Sequence, residues 1–273
     1  MAFVSATTSS SVSAYRASAI DATFTRLRQQ GRRAFVVYVT AGHPDAARSV
    51  ELLRALEAAG ADIIELGVPF SDPMADGPVI QASSQRALEH GMTFDKVLEL
   101  TARASLKIPV VLFSYLNPVL AAGASALARA ARAGASGILI TDLPVGSDAA
   151  LEQRFSSGPL DFIRLVAPTT PADRMAHIAR HGSGFVYLIS RLGVTGMRQD
   201  LPPDLAATVT RLRKATALPI CVGFGVSTAA HATAVARLAD GVVVGSALVK
   251  AAEHSVERAA ALARELRGAI DAA

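Results

Sequence analysis

The chain has 273 residues, of which 51% are hydrophobic and 18% charged, and its formal net charge is +4. This composition supplies enough apolar side chains for a large folded core and excludes an intrinsically disordered protein. Every apolar stretch is interrupted before it reaches the ~18 residues of a membrane span, and the dispersed arginines favour a solvated surface over nucleic-acid binding.

Residues 1–17 are rich in serine, threonine and alanine, contain no acidic residue and lack the apolar segment of a secretory signal. We predict a flexible tail rather than a transit peptide, because Arg16 is the only basic residue there. The single cysteine, Cys221, lies in an apolar stretch and excludes a disulfide framework. These features predict a cytoplasmic protein.

After the tail, Ile20, Phe24 and Leu27 are spaced as one apolar face of a helix that ends at Gly31. Eight short, apolar, β-branched segments then recur to the end of the chain, each followed by a stretch with helical hydrophobic spacing. The predicted strands are Ala34–Thr40, Ala61–Gly67, Ile108–Tyr115, Ala135–Thr141, Leu160–Ala167, Gly184–Ser190, Leu218–Gly223 and Gly241–Gly245.

Strands that are apolar almost throughout and alternate with helices indicate a parallel sheet covered on both faces. Eight such units in about 250 residues have the size of one (β/α)8 barrel, or TIM barrel. We therefore predict a single barrel domain over residues 18–273, with the extra N-terminal helix closing its bottom. An open, doubly wound sheet is the alternative.

Two of the predicted connections are longer than the fold requires. Residues 68–78 follow the second strand and residues 191–203 follow the sixth. Loops that follow barrel strands lie on the face where these enzymes place their chemistry, so both segments are candidate lids.

Glycines follow the last two strands at the points where helices begin. Gly223-Phe224-Gly225 precedes Ser227, and Gly245 precedes Ser246. Glycine lets the backbone approach an anion, and a helix N-terminus directs unpaired N–H groups towards it. The pattern favours a phosphate site over tight turns alone.

Two carboxylates are candidates for acid–base chemistry. Glu65 ends the second strand after two isoleucines, and Asp76 lies in the first long loop. Carboxyl groups in different environments can have separated pKa values and serve as acid and base. The alternative is that Glu65 pairs with an arginine and that Asp76 or Asp72 caps a turn.

Metal and imine chemistry are disfavoured. The six histidines show no ligand spacing beside acidic residues, and none of the four lysines ends a strand. Tyr115 and Tyr187 lie in strands, where each is suited either to the core or to the wall of an aromatic pocket.

The segment Glu65–Pro78, ELGVPFSDPMADGP, resembles the signature of the tryptophan synthase alpha chain family. Leu188–Gly196, Gly223–Ser227, Gly245-Ser246 and Val39–Gly42 are similar to other motifs of that family. The resemblance spans about residues 18–270. The sequence departs from the family at Val37, where proline is usual, and at His43, where an acid or tyrosine is frequent.

The resemblance implies a lyase of L-tryptophan biosynthesis that splits indole-3-glycerol phosphate into indole and glyceraldehyde 3-phosphate. It implies Glu65 as the catalytic acid–base and Asp76 as the carboxylate that holds the indole N–H. It also implies a group of substrate-binding residues, in which Thr195 bonds Asp76 when the sixth loop closes. These are Tyr187, Thr195, Gly196, Phe224, Gly225, Gly245 and Ser246.

The resemblance further implies a beta-subunit partner that carries pyridoxal phosphate, an α2β2 tetramer and direct transfer of indole, with no cofactor and no metal in this chain. The implied contact residues are Pro69, Phe70, Asp72, Asn117 and Pro118. The alternatives are a stand-alone indole-glycerol-phosphate lyase, a non-catalytic activator and another phosphosugar-converting barrel such as an epimerase. The two carboxylates argue against the activator, and the scattered histidines argue against the epimerase.

Overall fold

The computed structural model describes residues 18–190, 202–223 and 225–273. Its eight strands are parallel and form a closed barrel in chain order. They are β1 (Ala34–Thr40), β2 (Ile63–Gly67), β3 (Val110–Ser114), β4 (Ala135–Ile140), β5 (Asp161–Val166), β6 (Val186–Ile189), β7 (Ile220–Gly223) and β8 (Gly241–Val244). The ring closes where Ala34 of β1 pairs with Gly241 of β8. The predicted TIM barrel is confirmed, and the open sheet is excluded.

Helices connect the strands and form the outer layer of the barrel. Those in the described residues are α1 (Ala19–Gln29), α2 (Ala46–Ala58), α3 (Pro78–Glu89), α4 (Phe94–Ala104), α5 (Leu116–Ala121), α6 (Ala126–Arg132), α7 (Ala149–Ser156), α8 (Ala172–Arg180), α9 (Leu205–Ala215), α10 (Ala229–Ala236), α11 (Ser246–His254) and α12 (Val256–Asp271). None of them is long and apolar enough to cross a membrane.

Two prolines account for the clearest differences between predicted and observed strand ends. The third and seventh strands were expected from Ile108 and Leu218, but they begin immediately after Pro109 and Pro219. Proline has no N–H to donate to a strand ladder, although its carbonyl still accepts from the neighbouring strand. The hydrophobic pattern alone does not show this interruption.

The hydrophobic side chains divide into an outer layer between strands and helices and a smaller cluster inside the barrel. The inner cluster contains Ile20, Phe24 and Leu27 of α1, as predicted for a helix that closes the bottom. Phe24 packs on Phe185, just ahead of β6, with 5.9 Å between ring centroids. Ser18 and Asp21 form a capping box that fixes the start of this helix.

Candidate active site

A cavity of about 400 Å³ opens at the carboxyl-terminal ends of the strands. It brings together six of the residues that the sequence singled out, which are Glu65, Asp76, Tyr187, Gly225, Gly245 and Ser246. The remaining lining residues include Tyr38, Phe113, Ser227 and Lys250. The cavity therefore lies on the face where barrel enzymes carry their chemistry.

Glu65 is an ionisable side chain inside the barrel. Strand alternation directs Ile64 and Leu66 outwards to the helices, whereas Ile63 and Glu65 face the interior. The Glu65 side chain is fully buried, and neither of its carboxyl oxygens has a hydrogen-bond partner among the described residues. Burial raises the pKa of Glu65 to about 8. No arginine in the described part of the chain pairs with Glu65, which argues against the ion-pair alternative.

Asp76 reaches the same cavity from the loop between β2 and α3. Its carboxylate accepts a hydrogen bond of 3.1 Å from the Tyr115 hydroxyl, which itself accepts from the backbone N–H of Ala75 at 2.9 Å. Burial raises the pKa of Asp76 to about 6, and the Tyr115 hydrogen bond opposes that rise. The loop is also held from α3, where the Gln81 side chain donates to the backbone carbonyl of Asp76 at 3.0 Å.

Aromatic rings form the apolar walls of the cavity. Phe113 lies edge-on to Tyr38, with centroids 5.3 Å apart, and to Tyr187, with centroids 6.4 Å apart. Each tyrosine hydroxyl lies over a glycine, Gly67 for Tyr38 and Gly223 for Tyr187, where an added Cβ would collide with it. The two glycines make room for the two tyrosine rings. The resulting aromatic wall suits a flat apolar ligand.

The opposite corner of the cavity is formed by the loops after β7 and β8. Gly225 has a φ of +91°, and apart from its chain neighbours no described residue has an atom within 4 Å of the position that a Cβ would occupy. Helix α11 begins at Ser246 with Gly245 as its N-cap and no side-chain cap. Its first N–H groups therefore remain available to an anion.

Three predicted substrate-binding residues, Thr195, Gly196 and Phe224, lie outside the described residues. The predicted tail, residues 1–17, does so as well. Pyridoxal phosphate was expected only in a partner, and the described residues contain no group of three or more His, Cys, Asp or Glu side chains that could hold a metal ion.

The predicted contact residues lie in the β2–α3 loop and in helix α5. Asp72 and Asn117 are exposed, Phe70 and Pro118 are partly exposed, and Pro69 is buried. Phe70 and Asp72 also line a shallower cavity of about 600 Å³, beside the 83% exposed Met74. Since Phe70 packs on Tyr115 at 5.1 Å between centroids, the same loop joins this surface to Asp76.

Sequence reasoning missed several residues of the cavity, among them the polar Tyr38 and Lys250. Tyr38 was hidden in an apolar strand, although it precedes the polar Thr40 on the same face of β1. Lys250 was considered only as an imine-forming lysine and set aside because it does not end a strand. Its spacing of four residues from Ser246 in one helix was the available signal.

The closed parallel barrel holds a buried carboxyl group that no described residue partners, a second carboxylate in the same cavity and a helix N-terminus without a side-chain cap. These features define a TIM-barrel enzyme equipped for proton transfer. The family model of the tryptophan synthase alpha chain matches residues 24–271. The chain belongs to the tryptophan synthase alpha chain family.

Individual relatives agree with the family model over nearly the whole chain. The alpha chain of Citrifermentans bemidjiense is 50% identical over 258 residues, which are 93% of this chain and 96% of the relative. That of Synechococcus elongatus is 48% identical and covers 93% and 97%. A tryptophan synthase structure from Mycobacterium tuberculosis has a TM-score of 0.86 at 36% identity, covering 94% of this chain and 99% of that one.

Membership of this family establishes the reaction class. The protein is a lyase of tryptophan biosynthesis that cleaves indole-3-glycerol phosphate into indole and glyceraldehyde 3-phosphate. The comparisons do not favour the stand-alone lyase that was the alternative.

Proposed function

We propose that Glu65 is the acid–base of the cleavage and that Asp76 holds the indole N–H. One observation carries this assignment: the carboxyl group of Glu65 is fully buried, has no hydrogen-bond partner in the described part of the chain and lines the cavity that Asp76 also lines. An unpaired buried carboxyl group is costly to the fold, so it is better explained by chemistry than by stability.

The first step is protonation of the indole ring. With a pKa of about 8, Glu65 is mostly protonated at neutral pH and supplies a proton to C3 of the indole. The ring then carries a positive charge centred on nitrogen, which the carboxylate of Asp76 stabilises through the N–H. The pKa of about 6 keeps Asp76 mostly ionised at the same pH.

The second step breaks the carbon–carbon bond. Glu65, now a carboxylate, takes the proton of the hydroxyl group on the carbon attached to C3. The O–H electrons form the carbonyl of glyceraldehyde 3-phosphate, and the electrons of the broken bond return to the indole ring and neutralise its nitrogen. Glu65 ends protonated as it began, so the cycle needs neither a metal nor an imine.

The phosphate group is assigned to the opposite corner. Backbone N–H groups at Gly225, Gly245 and Ser246 bind it, and the ammonium group of Lys250 adds positive charge at the mouth. Tyr187 forms part of the indole wall. By family resemblance, Thr195, Gly196 and Phe224 complete this substrate site.

Replacement of the acid–base tests the proposal directly. Glu65→Gln retains the shape of the side chain but cannot exchange protons, so kcat should fall by about 10²–10⁴-fold while the Kd for substrate stays within a few-fold. The exposed Glu51→Gln on α2 is the matched control and should behave as wild type. Wild-type turnover by Glu65→Gln would refute the assignment.

We also propose that the outer side of the β2–α3 loop binds a beta subunit that carries pyridoxal phosphate, within an α2β2 assembly. The exposed Met74 and Asp72 and the partly exposed Phe70 support this surface, and Asn117 and Pro118 lie in the next βα connection. Pro69 is buried, so its contribution is to hold the adjacent Phe70 in place. A partner on this loop would receive indole close to where it forms.

Charge reversal on that surface tests the partner assignment. Asp72→Lys should weaken association with the beta subunit at least ten-fold, whereas Asp173→Lys on α8 should leave it unchanged. Mass measurement of the mixed sample should give two copies of each chain. Equal binding by both variants would place the interface elsewhere.

A further inference from the structure

The backbone that carries Asp76 forms a tight turn of its own. Asp76 donates its N–H to the carbonyl of Pro73 at 3.0 Å, which closes a four-residue turn over residues 73–76. The Tyr115 hydroxyl holds the Asp76 carboxylate on the cavity side of this turn. The carboxylate keeps its place only as long as the turn keeps its own, so whatever anchors the turn also positions Asp76.

The junction between this turn and helix α3 lacks the usual anchor. Helix α3 begins at Pro78 with Gly77 as its N-cap, and no side chain of the described residues caps its first turn. A capping serine, threonine, asparagine or aspartate normally bonds the first N–H groups of a helix and so fixes the chain where it enters the helix. Here a different contact connects the loop to the helix.

Gln81, the fourth residue of α3, supplies that contact. Its Nε2 group donates to the backbone carbonyl of Asp76 at 3.0 Å and to that of Pro73 at 3.3 Å. A side-chain amide has two N–H donors, so both hydrogen bonds form at once. Because Pro73 and Asp76 are the first and last residues of the turn, one side chain holds both of its ends against α3.

Gln81 does this from outside the active site. It is exposed and lines the shallower cavity of about 600 Å³, whereas Asp76 lines the active-site cavity. Gln85, one helical turn further along α3, is also exposed and lines the same shallower cavity, but its amide donates to Glu89 of its own helix. The two glutamines therefore share their surroundings and differ in whether they hold the turn.

We propose that Gln81 is a positioning residue, which acts on the substrate through Asp76 by holding the turn of residues 73–76 against α3. This inference rests on the proposed function, in which the Asp76 carboxylate receives the indole N–H. Without the two hydrogen bonds from Gln81, the turn loses its connection to the helix. The Asp76 carboxylate is then aligned with the N–H for a smaller part of the time.

The test measures the N–H contact by comparing two ligands of the purified chain. One is indole-3-propanol phosphate, and the other is its benzothiophene analogue, in which sulfur replaces the ring N–H. The ratio of the two Kd values gives the preference for the N–H. Gln81→Met keeps the side-chain length and a high helix propensity, and it should reduce this preference by about 2–10-fold, the usual effect of losing one net hydrogen bond.

The reduction should come from weaker binding of the indole ligand, with the Kd of the benzothiophene ligand within two-fold of wild type. Gln85→Met is the matched control and should keep the wild-type preference. All variants are compared below their thermal unfolding midpoints. A wild-type preference in Gln81→Met, or an equal loss in Gln85→Met, would overturn the inference.

A double-mutant cycle shows whether Gln81 acts through Asp76. Asp76→Ala removes the carboxylate and should abolish the preference for the N–H. Adding Gln81→Met to Asp76→Ala should change neither Kd further, because the group that Gln81 positions is gone. A further weakening in the double variant would show that Gln81 affects the ligand by another route, which also overturns the inference.

The wild-type measurement separates this inference from the proposed function. If wild type prefers the indole ligand and Gln81→Met does so equally, only the role of Gln81 is overturned. If wild type shows no preference, Asp76 does not hold the indole N–H. The proposed role of Asp76 then fails, and the inference about Gln81 fails with it.

Discussion

At the scale of single residues, Glu65 makes the stability of the chain depend on pH. Its carboxyl group ionises near pH 4.5 when exposed to water and near pH 8 in the folded chain. Between these values the folded state binds more protons than the unfolded state, so the free energy of unfolding falls as pH rises. The stability that comes from the protonated Glu65 is fully present below about pH 4.5 and is lost above about pH 8.

We expect Glu65→Gln to remove this dependence. Relative to the variant, wild type should lose about 1.4 kcal/mol of unfolding free energy for each pH unit within the window. Urea unfolding of both proteins at several pH values measures the difference. Parallel curves for the two proteins would show that Glu65 does not titrate with a raised pKa.

The two carboxylates should also give the reaction a bell-shaped pH dependence. The value of kcat/KM should rise through about pH 6, as Asp76 becomes the carboxylate that receives the indole N–H, and fall above about pH 8, as Glu65 loses its proton. The substrate phosphate also titrates near pH 6. The pH dependence of the residual kcat/KM of Asp76→Asn therefore shows which group controls the acid limb, the rise through about pH 6. If that limb is unchanged in the variant, Asp76 is not the group that causes it.

The hydrogen bond from Tyr115 helps to set the pKa of Asp76. The Tyr115 hydroxyl donates to the ionised carboxylate at 3.1 Å and so lowers a pKa that burial has raised. Tyr115→Phe removes that donor, and the acid limb of the kcat/KM profile should move to higher pH while the alkaline limb stays in place. Movement of both limbs together would indicate a general disturbance of the cavity.

The presence of Glu65 and Asp76 at one cavity could be predicted from the sequence because each has a recognisable context, one at a strand end and one in a long loop. Tyr38 could not be chosen in the same way. Its place in the cavity wall depends on Gly67 and Gly245, which lie beside it only after β1 pairs with β2 and β8.

At the scale of secondary-structure elements, a buried cation fixes the last helix to the bottom of the barrel. Arg267 of α12 donates to the carboxylate of Asp62 at 3.0 Å and to the backbone carbonyl of Arg33 at 3.1 Å. Asp62 in turn accepts from the N–H of Phe35 at 2.9 Å. The three contacts connect α12 with the starts of β1 and β2.

Removal of that cation should be strongly destabilising. Arg267→Ala leaves the Asp62 carboxylate buried without its main partner, and we expect a loss of about 3–5 kcal/mol in unfolding free energy. Arg264→Ala, an exposed arginine on the same helix, is the control and should change stability by less than about 0.5 kcal/mol. Chemical denaturation measures both; equal losses would mean that the ion pair contributes nothing beyond helix propensity.

All eight strands could be predicted because a parallel sheet buried on both faces needs strands that are apolar almost throughout. In this sequence such segments alternate with segments whose hydrophobic residues have helical spacing. The exact ends of the strands could not be predicted, since Pro109 and Pro219 interrupt hydrogen bonding without interrupting hydrophobicity. The contact between Arg267 and Asp62 could not be predicted from the sequence either, because 205 residues separate the two side chains along the chain.

At the scale of the whole molecule, the β2–α3 loop belongs to both the active site and the outer surface. Asp76 faces the cavity, Phe70 packs on the tyrosine that holds Asp76, and Asp72 and Met74 remain exposed. A partner that orders this loop would therefore also position a catalytic carboxylate. The proposed partner would then stimulate cleavage through this one short segment.

The most direct measurement is indole release from indole-3-glycerol phosphate by the purified chain, with and without a tryptophan synthase beta subunit. We expect slow release by the chain alone and strong stimulation on mixing, because a partner bound to the β2–α3 loop would hold Asp76 in position. Rapid release that the partner does not alter would contradict the proposed coupling. No release under either condition would contradict the assignment of this cavity as a lyase active site.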